Sequence, residues 1–241
     1  MTSLGIIQAR IDSSRLHGKV LRRLGGRSVL ERVVRAVQQS GVLDELVVAT
    51  TEEAADDAVV AECAAIGVAC HRGPVDDVLT RFLGVLDKYE SDVVVRFTAD
   101  NPLIDPGIVA RAHRVFLASG ADYLTTSISR TLPLGLDVEM VRTPVLRSID
   151  EVATAHHRVH VTSYIYTHAE LFDVVGLTLQ PDRSHLRLTL DTEDDWRLLE
   201  AVVEQFGDEP AGIQELVDFL AERPDLTELN AHVLQKELAQ A

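Results

Sequence analysis

A chain of 241 residues, 46% hydrophobic and 25% charged, has the composition of a globular protein and the length to bury a substantial core. Its formal net charge of −15 excludes the broad basic face that nucleic-acid binding requires. No apolar run approaches the roughly 20 residues of a membrane-spanning helix, and no basic region precedes a long apolar run at the N-terminus, so a cytoplasmic location is expected.

The first apolar run, SLGIIQA at 3–9, is read as a strand that ends in a polar loop. Val29, Leu30, Val33, Val34 and Val37 then recur at helical spacing, with Ser28 as N-cap and Gly41 as stop. The alternation continues in order: strand 45–51, helix 52–67, strand 68–71, helix 76–90, strand 92–99, helix 106–120 and strand 121–127. Beyond residue 130 the rhythm changes. Residues 132–141 read as extended, 156–172 as helical, and 172–179 and 186–191 as strands, before an amphipathic helical tail. Strands alternating with helices imply an α/β, doubly wound, mainly parallel sheet covered on both faces. One domain over 1–241 is expected, with an inserted arm at about 130–180 and a C-terminal helical tail from about 193. Cys63 and Cys70, among small apolar neighbours, are read as buried free thiols.

In such sheets ligands bind beyond the carboxyl ends of the strands. The loop after the first strand, ARIDSSRLHGKVLRRLGGR, gathers Arg10, Arg15, Lys19, Arg22, Arg23 and Arg27 around a single acid, Asp12. It is neither a Walker A loop nor a GxGxxG turn, because the required glycines and the Ser or Thr after Lys19 are missing. Arg10, Ser13, Ser14, Arg15, Gly18 and Lys19 remain as a cradle for a polyanion: guanidinium forks, hydroxyls and an ammonium satisfy phosphate oxygens, and Gly18 permits close backbone approach. Arg22, Arg23 and Arg27, further toward the helix, are read as solvated charges needing no ligand.

ARIDSSRLHGKVL resembles the ARxxSxRLPGKxL signature of the sugar cytidylyltransferases, the group that includes the acylneuraminate and 3-deoxy-manno-octulosonate activating enzymes. RGPVDDVLTRF at 72–82, TADNPLIDP at 98–106, GLDVE at 135–139, HVTSYIY at 160–166 and LTLDTEDDW at 188–196 fit the spore coat polysaccharide branch of that family. The resemblance, from about residue 4 to 200, implies transfer of CMP from CTP to a sugar, sugar acid or related phosphate or phosphonate acceptor, with release of pyrophosphate. It implies a catalytic set of Arg10, Arg15 and Lys19, and nucleotide contacts from Ala9, Arg10, Ser13, Gly18, Lys19, Arg72 and Thr98. Where the sugar-acid enzymes often carry a glutamine that meets the base, this chain has Thr98; CTP is therefore an expectation.

Asp100 and Asp191 each end an apolar run, and the resemblance makes them ligands of Mg²⁺. The plainer reading gives Asp191 a helix-capping role and Asp100 an Asx turn. On the acceptor side stand Asn101, Asp137, Glu139, Arg158, His160 and Tyr164, the last three by resemblance; Asp137 and Glu139 alternate onto one face of a strand. His156 and His160 have a metal-binding spacing but no evident third ligand, and Asp77 and Arg81 read as a surface pair four residues apart. The arm makes dimer contacts in relatives, so a homodimer is expected. His17 departs from the family's proline, leaving the loop less stiff. Two rivals remain. A nucleotide-sugar glycosyltransferase calls for an Asp-x-Asp motif, where TADNP has one Asp; a non-catalytic nucleotide-binding homologue has no need of Lys19, Asp100 and Asp191 together.

Overall fold

The computed structural model describes residues 1–13 and 15–235. Strand β1 (Ser3–Gln8) leads through the basic loop to a small hairpin, β2 (Arg23–Leu24) and β3 (Arg27–Ser28), and into α1 (Val29–Gln39). The Ser28 hydroxyl caps α1 by accepting from the Glu31 amide, and Gly41 leaves the helix at φ +67°. Then follow β4 (Glu45–Thr51), α2 (Asp57–Ile66), β5 (Ala69–Gly73), α3 (Val78–Leu86), β6 (Val93–Thr98), α4 (Pro106–Ser119) and β7 (Tyr123–Thr125). The chain continues through β8 (Glu139–Arg142), α5 (Thr143–Ser148), α6 (Ala155–Val159), α7 (Ser163–Thr167) and β9 (Val174–Gly176) to α8 (Glu193–Phe206), α9 (Ile213–Glu222) and α10 (Pro224–Asn230). None of the described helices is long and apolar enough to cross a membrane.

Seven strands form one sheet in the order β5-β4-β1-β6-β8-β7-β9. β8 alone runs against its neighbours, pairing antiparallel with β6 and β7. The central strands are apolar on both faces because both are covered. Ile7 and Val95 face a core with α1, α4 and α8, whereas Ile6, Val47 and Val94 face a second core with α3 and α5. The chain leaves β1 toward β4 on one side and reaches β6 on the other. The carboxyl ends of β1 and β6 therefore sit at a switch in strand order, where a crevice opens.

Three expectations are corrected. Residues 156–172 are not one helix: α6 and α7 are separated at Val161, a buried β-branched residue at φ +54°. Residues 186–191 form no strand. Leu134 accepts from the Leu188 amide at 2.7 Å and donates to the Leu186 carbonyl at 3.0 Å, and the pairing then stops because Gly135 turns away at φ +106°. A Cβ on Gly135 would lie 2.6 Å from the Thr189 nitrogen, so this close crossing requires glycine. Of the extended reading for 132–141, only the stretch from Glu139 onward enters the sheet. In the tail, α9 and α10 are followed by non-helical residues 231–235.

Candidate active site

The basic loop is shaped from within. Gly18, at φ +69°, donates its amide to the Ile11 carbonyl at 3.0 Å, closing the loop. Buried Asp56 accepts from the Ile11 amide at 2.6 Å and bonds the Thr51 amide and hydroxyl, anchoring the loop to the end of β4. From this turn a short 3₁₀ segment, Lys19–Leu21, sends the Lys19 side chain inward until it is only 7% exposed.

Lys19 is where the two candidate metal ligands meet. Its Nζ donates to Asp100 Oδ2 at 2.8 Å, Asp191 Oδ1 at 2.8 Å and the Leu190 carbonyl at 2.7 Å. The carboxylates converge because the Leu190 amide donates to the Asp100 carbonyl at 2.8 Å, stitching the end of 186–191 to the turn after β6. Asp100 Oδ1 accepts from the Thr98 hydroxyl at 2.6 Å, and Asp191 Oδ2 accepts from Arg187 at 2.8 Å and forms an ion pair with Arg15 at 2.7 Å. Arg187 in turn grips Asp195, which also accepts from the amides of Asp191 and Thr192 and from Asn230. Burial pushes the Asp191 carboxyl up, but Lys19, Arg15 and Arg187 outweigh it and hold the group below the usual carboxylate range. Burial likewise draws Lys19 down, and Asp100 and Asp191 more than offset that, leaving its ammonium above its ordinary value.

These groups line one end of a cleft of about 540 Å³ that extends across β6. On the β4 side, Arg10 is exposed beside Arg81, which is 2% exposed and donates to the carbonyls of Ala49, Pro74 and Val75. Across β6, Arg96 binds Glu139 at 2.5 Å and Gln8 at 2.9 Å, while Glu139 also accepts from Tyr123 at 2.8 Å and from Thr162. Arg130 lies 2.7 Å from Asp137, an ionic contact without the angles of a hydrogen bond. Burial raises the Asp137 carboxyl against the pull of Arg130. One compartment is thus rich in cations and the other carries matched pairs of opposite charge.

The family model for cytidylyltransferases matches residues 4–234 of this chain. The chain belongs to the cytidylyltransferase family. The spore coat polysaccharide biosynthesis protein SpsF of Bacillus subtilis is 35% identical over 232 residues, covering 92% of this chain and 95% of that protein. A cytidylyltransferase structure from Leptospira borgpetersenii serovar Hardjo-bovis superposes with a TM-score of 0.91 at 28% identity, covering 98% of this chain and 99% of the other. A CMP:2-keto-3-deoxy-manno-octonic acid synthetase complexed with CTP shares the fold, with a TM-score of 0.67 at 15% identity over 85% of this chain and 99% of its own. The chain is accordingly a nucleotidyltransferase.

Of the residues named from the sequence, this cytidylyltransferase brings Ala9, Arg10, Ser13, Arg15, Lys19, Thr98, Asp100, Asn101, Asp137, Glu139, His160 and Asp191 to the cleft wall. Gly18 shapes the loop behind it; Ser14 lies outside the described residues. Three others are not brought there. Arg72 is held on the far side of the β4 loop by Asp57 and the carbonyls of Thr51 and Glu53. Arg158 is taken up by Asp77, Asp150 and Thr80. Tyr164 stacks on His168 at 4.1 Å, within a ring cluster that includes His157 and Phe172. The surface pair of Asp77 and Arg81 does not form either, because Asp77 caps α3 and binds Arg158 while Arg81 turns into the cleft.

Arg22 and Arg27, expected to be solvated, are paired instead. Arg22 binds Glu193 at 2.7 Å and lies 3.9 Å over the Trp196 ring, and Arg27 binds Glu209 at 2.8 Å. His156 is exposed, and no three His, Cys, Asp or Glu side chains gather as a metal-holding group among the described residues. His17 is exposed, with its ring 3.9 Å from Asp12, and does not line the cleft. His17→Pro is expected to alter stability by less than about 1 kcal/mol and turnover by less than about twofold, checked by thermal melts and pyrophosphate release.

Proposed function

We propose that this cytidylyltransferase transfers CMP from CTP to a sugar, sugar acid or related phosphate or phosphonate acceptor, releasing pyrophosphate, with Mg²⁺ as cofactor. The observation that carries the reading is the meeting of Lys19, Asp100 and Asp191 at the end of the basic loop, with a second polar compartment across β6. Two carboxylates and a backbone carbonyl already arranged around one cation form an all-oxygen donor set, which suits a hard divalent ion. Asp100 and Asp191 would hold it; when bound, it neutralises phosphate oxygens and favours in-line displacement.

Arg10 and Arg15 bind triphosphate oxygens in this reading, and Lys19 offsets the charge that collects on departing pyrophosphate. Thr98 gives its hydroxyl to Asp100, so it orients that carboxylate rather than reading the base. Arg96, Arg130, Asp137, Glu139 and His160 orient the acceptor for attack on the α-phosphorus. The protein acts in the cytoplasm as a homodimer joined through the arm, a reading supported by Ile128, Val152 and Leu171, which expose apolar side chains there.

Mixing the protein with CTP, Mg²⁺ and a panel of sugars, sugar acids and sugar phosphates is expected to release pyrophosphate and give a CMP-linked product. Release of a nucleoside diphosphate from a nucleotide sugar, or of nothing with any acceptor, would overturn the reading. In thermal shift measurements CTP is expected to raise the melting temperature more than UTP, ATP or GTP at equal concentration.

A further inference from the structure

Lys19 cannot hold its observed position and also bind a phosphate. An ammonium has three N–H donors, and all three are spent, on Asp100, Asp191 and the Leu190 carbonyl. The cluster is also self-neutralised. Lys19, Arg15 and Arg187 stand against Asp100, Asp191 and Asp195, each in direct contact with its partners; Lys19, Arg187, Asp191 and Asp195 are buried, and Arg15 and Asp100 are half-buried at the cleft wall. A divalent ion entering alone would add two uncompensated positive charges to a poorly solvated site, which is strongly unfavourable. A triphosphate entering with the ion supplies the counter-charge, and its oxygens can accept from the displaced lysine.

We propose that the Lys19 ammonium occupies the divalent-cation seat of the nucleotide-free enzyme and is exchanged out of it, toward the phosphates, when metal and nucleotide arrive together. This rests on the metal role proposed for Asp100 and Asp191. Lys19 keeps the two aspartates from repelling one another in the resting protein, and its departure both opens the seat and delivers a cation to the leaving group. Metal and nucleotide affinities are then coupled, and the coupling is reciprocal. The long, unbranched lysine stem makes the move possible without backbone rearrangement, and arginine's broad planar head is not equivalent in so small a seat.

The test measures Mn²⁺ binding by electron paramagnetic resonance on nucleotide-free protein. Wild type is expected to bind Mn²⁺ weakly, and Lys19→Met to bind it at least about tenfold more tightly, because the competing charge is gone. Asp191→Asn placed in the Lys19→Met background is expected to abolish that gain. Addition of CTP should strengthen Mn²⁺ binding by wild type far more than by Lys19→Met. A second measurement needs no variant. The Nζ resonance of Lys19, protected from exchange by its three bonds, should be visible by nitrogen-15 NMR in the nucleotide-free wild type. It should shift or vanish when Mg²⁺ and CTP are added together, but persist with Mg²⁺ alone. Equal Mn²⁺ affinity in wild type and Lys19→Met, or an Nζ signal unmoved by Mg²⁺ with CTP, overturns the exchange and leaves the metal assignment standing. Mn²⁺ binding indifferent to Asp191→Asn in every background overturns the metal assignment itself, and the exchange with it.

Discussion

Asp191→Asn is expected to slow pyrophosphate release by about 10²–10³-fold, with the loss falling on kcat. One oxygen of Asp191 faces Lys19 and the other faces Arg15 and Arg187, so the carboxylate is the hub that keeps three cations of the phosphate end in register. Asparagine removes the charge and turns an amide donor toward groups that are themselves donors. Arg10 stays in place beside the cleft, so binding of CTP is expected to survive better than turnover. Steady-state kinetics with CTP and an active acceptor, alongside a thermal shift titration with CTP, separate the two effects. Near-wild-type kcat would remove Asp191 from the chemistry and leave it the role of a linker.

The second large effect is on stability. Asp195 is wholly buried and accepts from Nε and Nη2 of Arg187, from Asn230 and from the backbone amides of Asp191 and Thr192 just before α8. Asp195→Ala leaves the Arg187 charge without its main partner in the interior and is expected to cost about 3–5 kcal/mol. For a chain of this size that corresponds to a fall of roughly 6–20 °C in melting temperature. Urea titration and thermal melts check it. The same groups set the response to acid. Asp191 and Asp195 are both held below the usual carboxylate range: burial works against this, while Lys19, Arg15 and Arg187 around Asp191, and Arg187 and Asn230 around Asp195, prevail. The stability these two contribute is complete above the ordinary carboxylate pKa of about 4 and is lost as pH falls below it through their depressed values. Asp137, raised by burial, works in the opposite sense: its charged form costs the folded state more as pH rises past the carboxylate range.

That the basic loop and the two aspartates lie near one another at strand ends is legible because the signals are local. A basic cluster sits directly between a strand and a helix, and Asp100 and Asp191 each close an apolar run. Lys19 was identified for its charge, but the sequence gives no sign that it is buried between both aspartates; that follows from the pairing of Leu190 with Asp100. The wall across β6 is less legible. Arg96 and Arg187 interrupt apolar runs, VVVRFT and LRLTL, and a lone arginine in such a run is itself a sign of a cleft-facing or bridging group. The spacing of Arg81 from Asp77 satisfies a local pairing rule, but α3 packs so that the two diverge. The arm resisted reading for a physical reason. Helical spacing continues through 156–172, but Val161 adopts a backbone angle that no propensity scale assigns to valine.

β6 lies between β1 and β8, and the two compartments of the cleft open on either side of it. The residues facing the phosphate loop come from 8–20, 78–81 and the two aspartate turns, whereas Ser127, Arg130, Asp137, Glu139, Val159, His160 and Tyr166 all fall between 127 and 166. Apart from Arg96 and Asn101, the wall across β6 therefore comes from one stretch of chain, separate from the segments that face the basic loop. If the proposed function holds, substitutions confined to that stretch would change the acceptor surface and leave the nucleotide half unchanged.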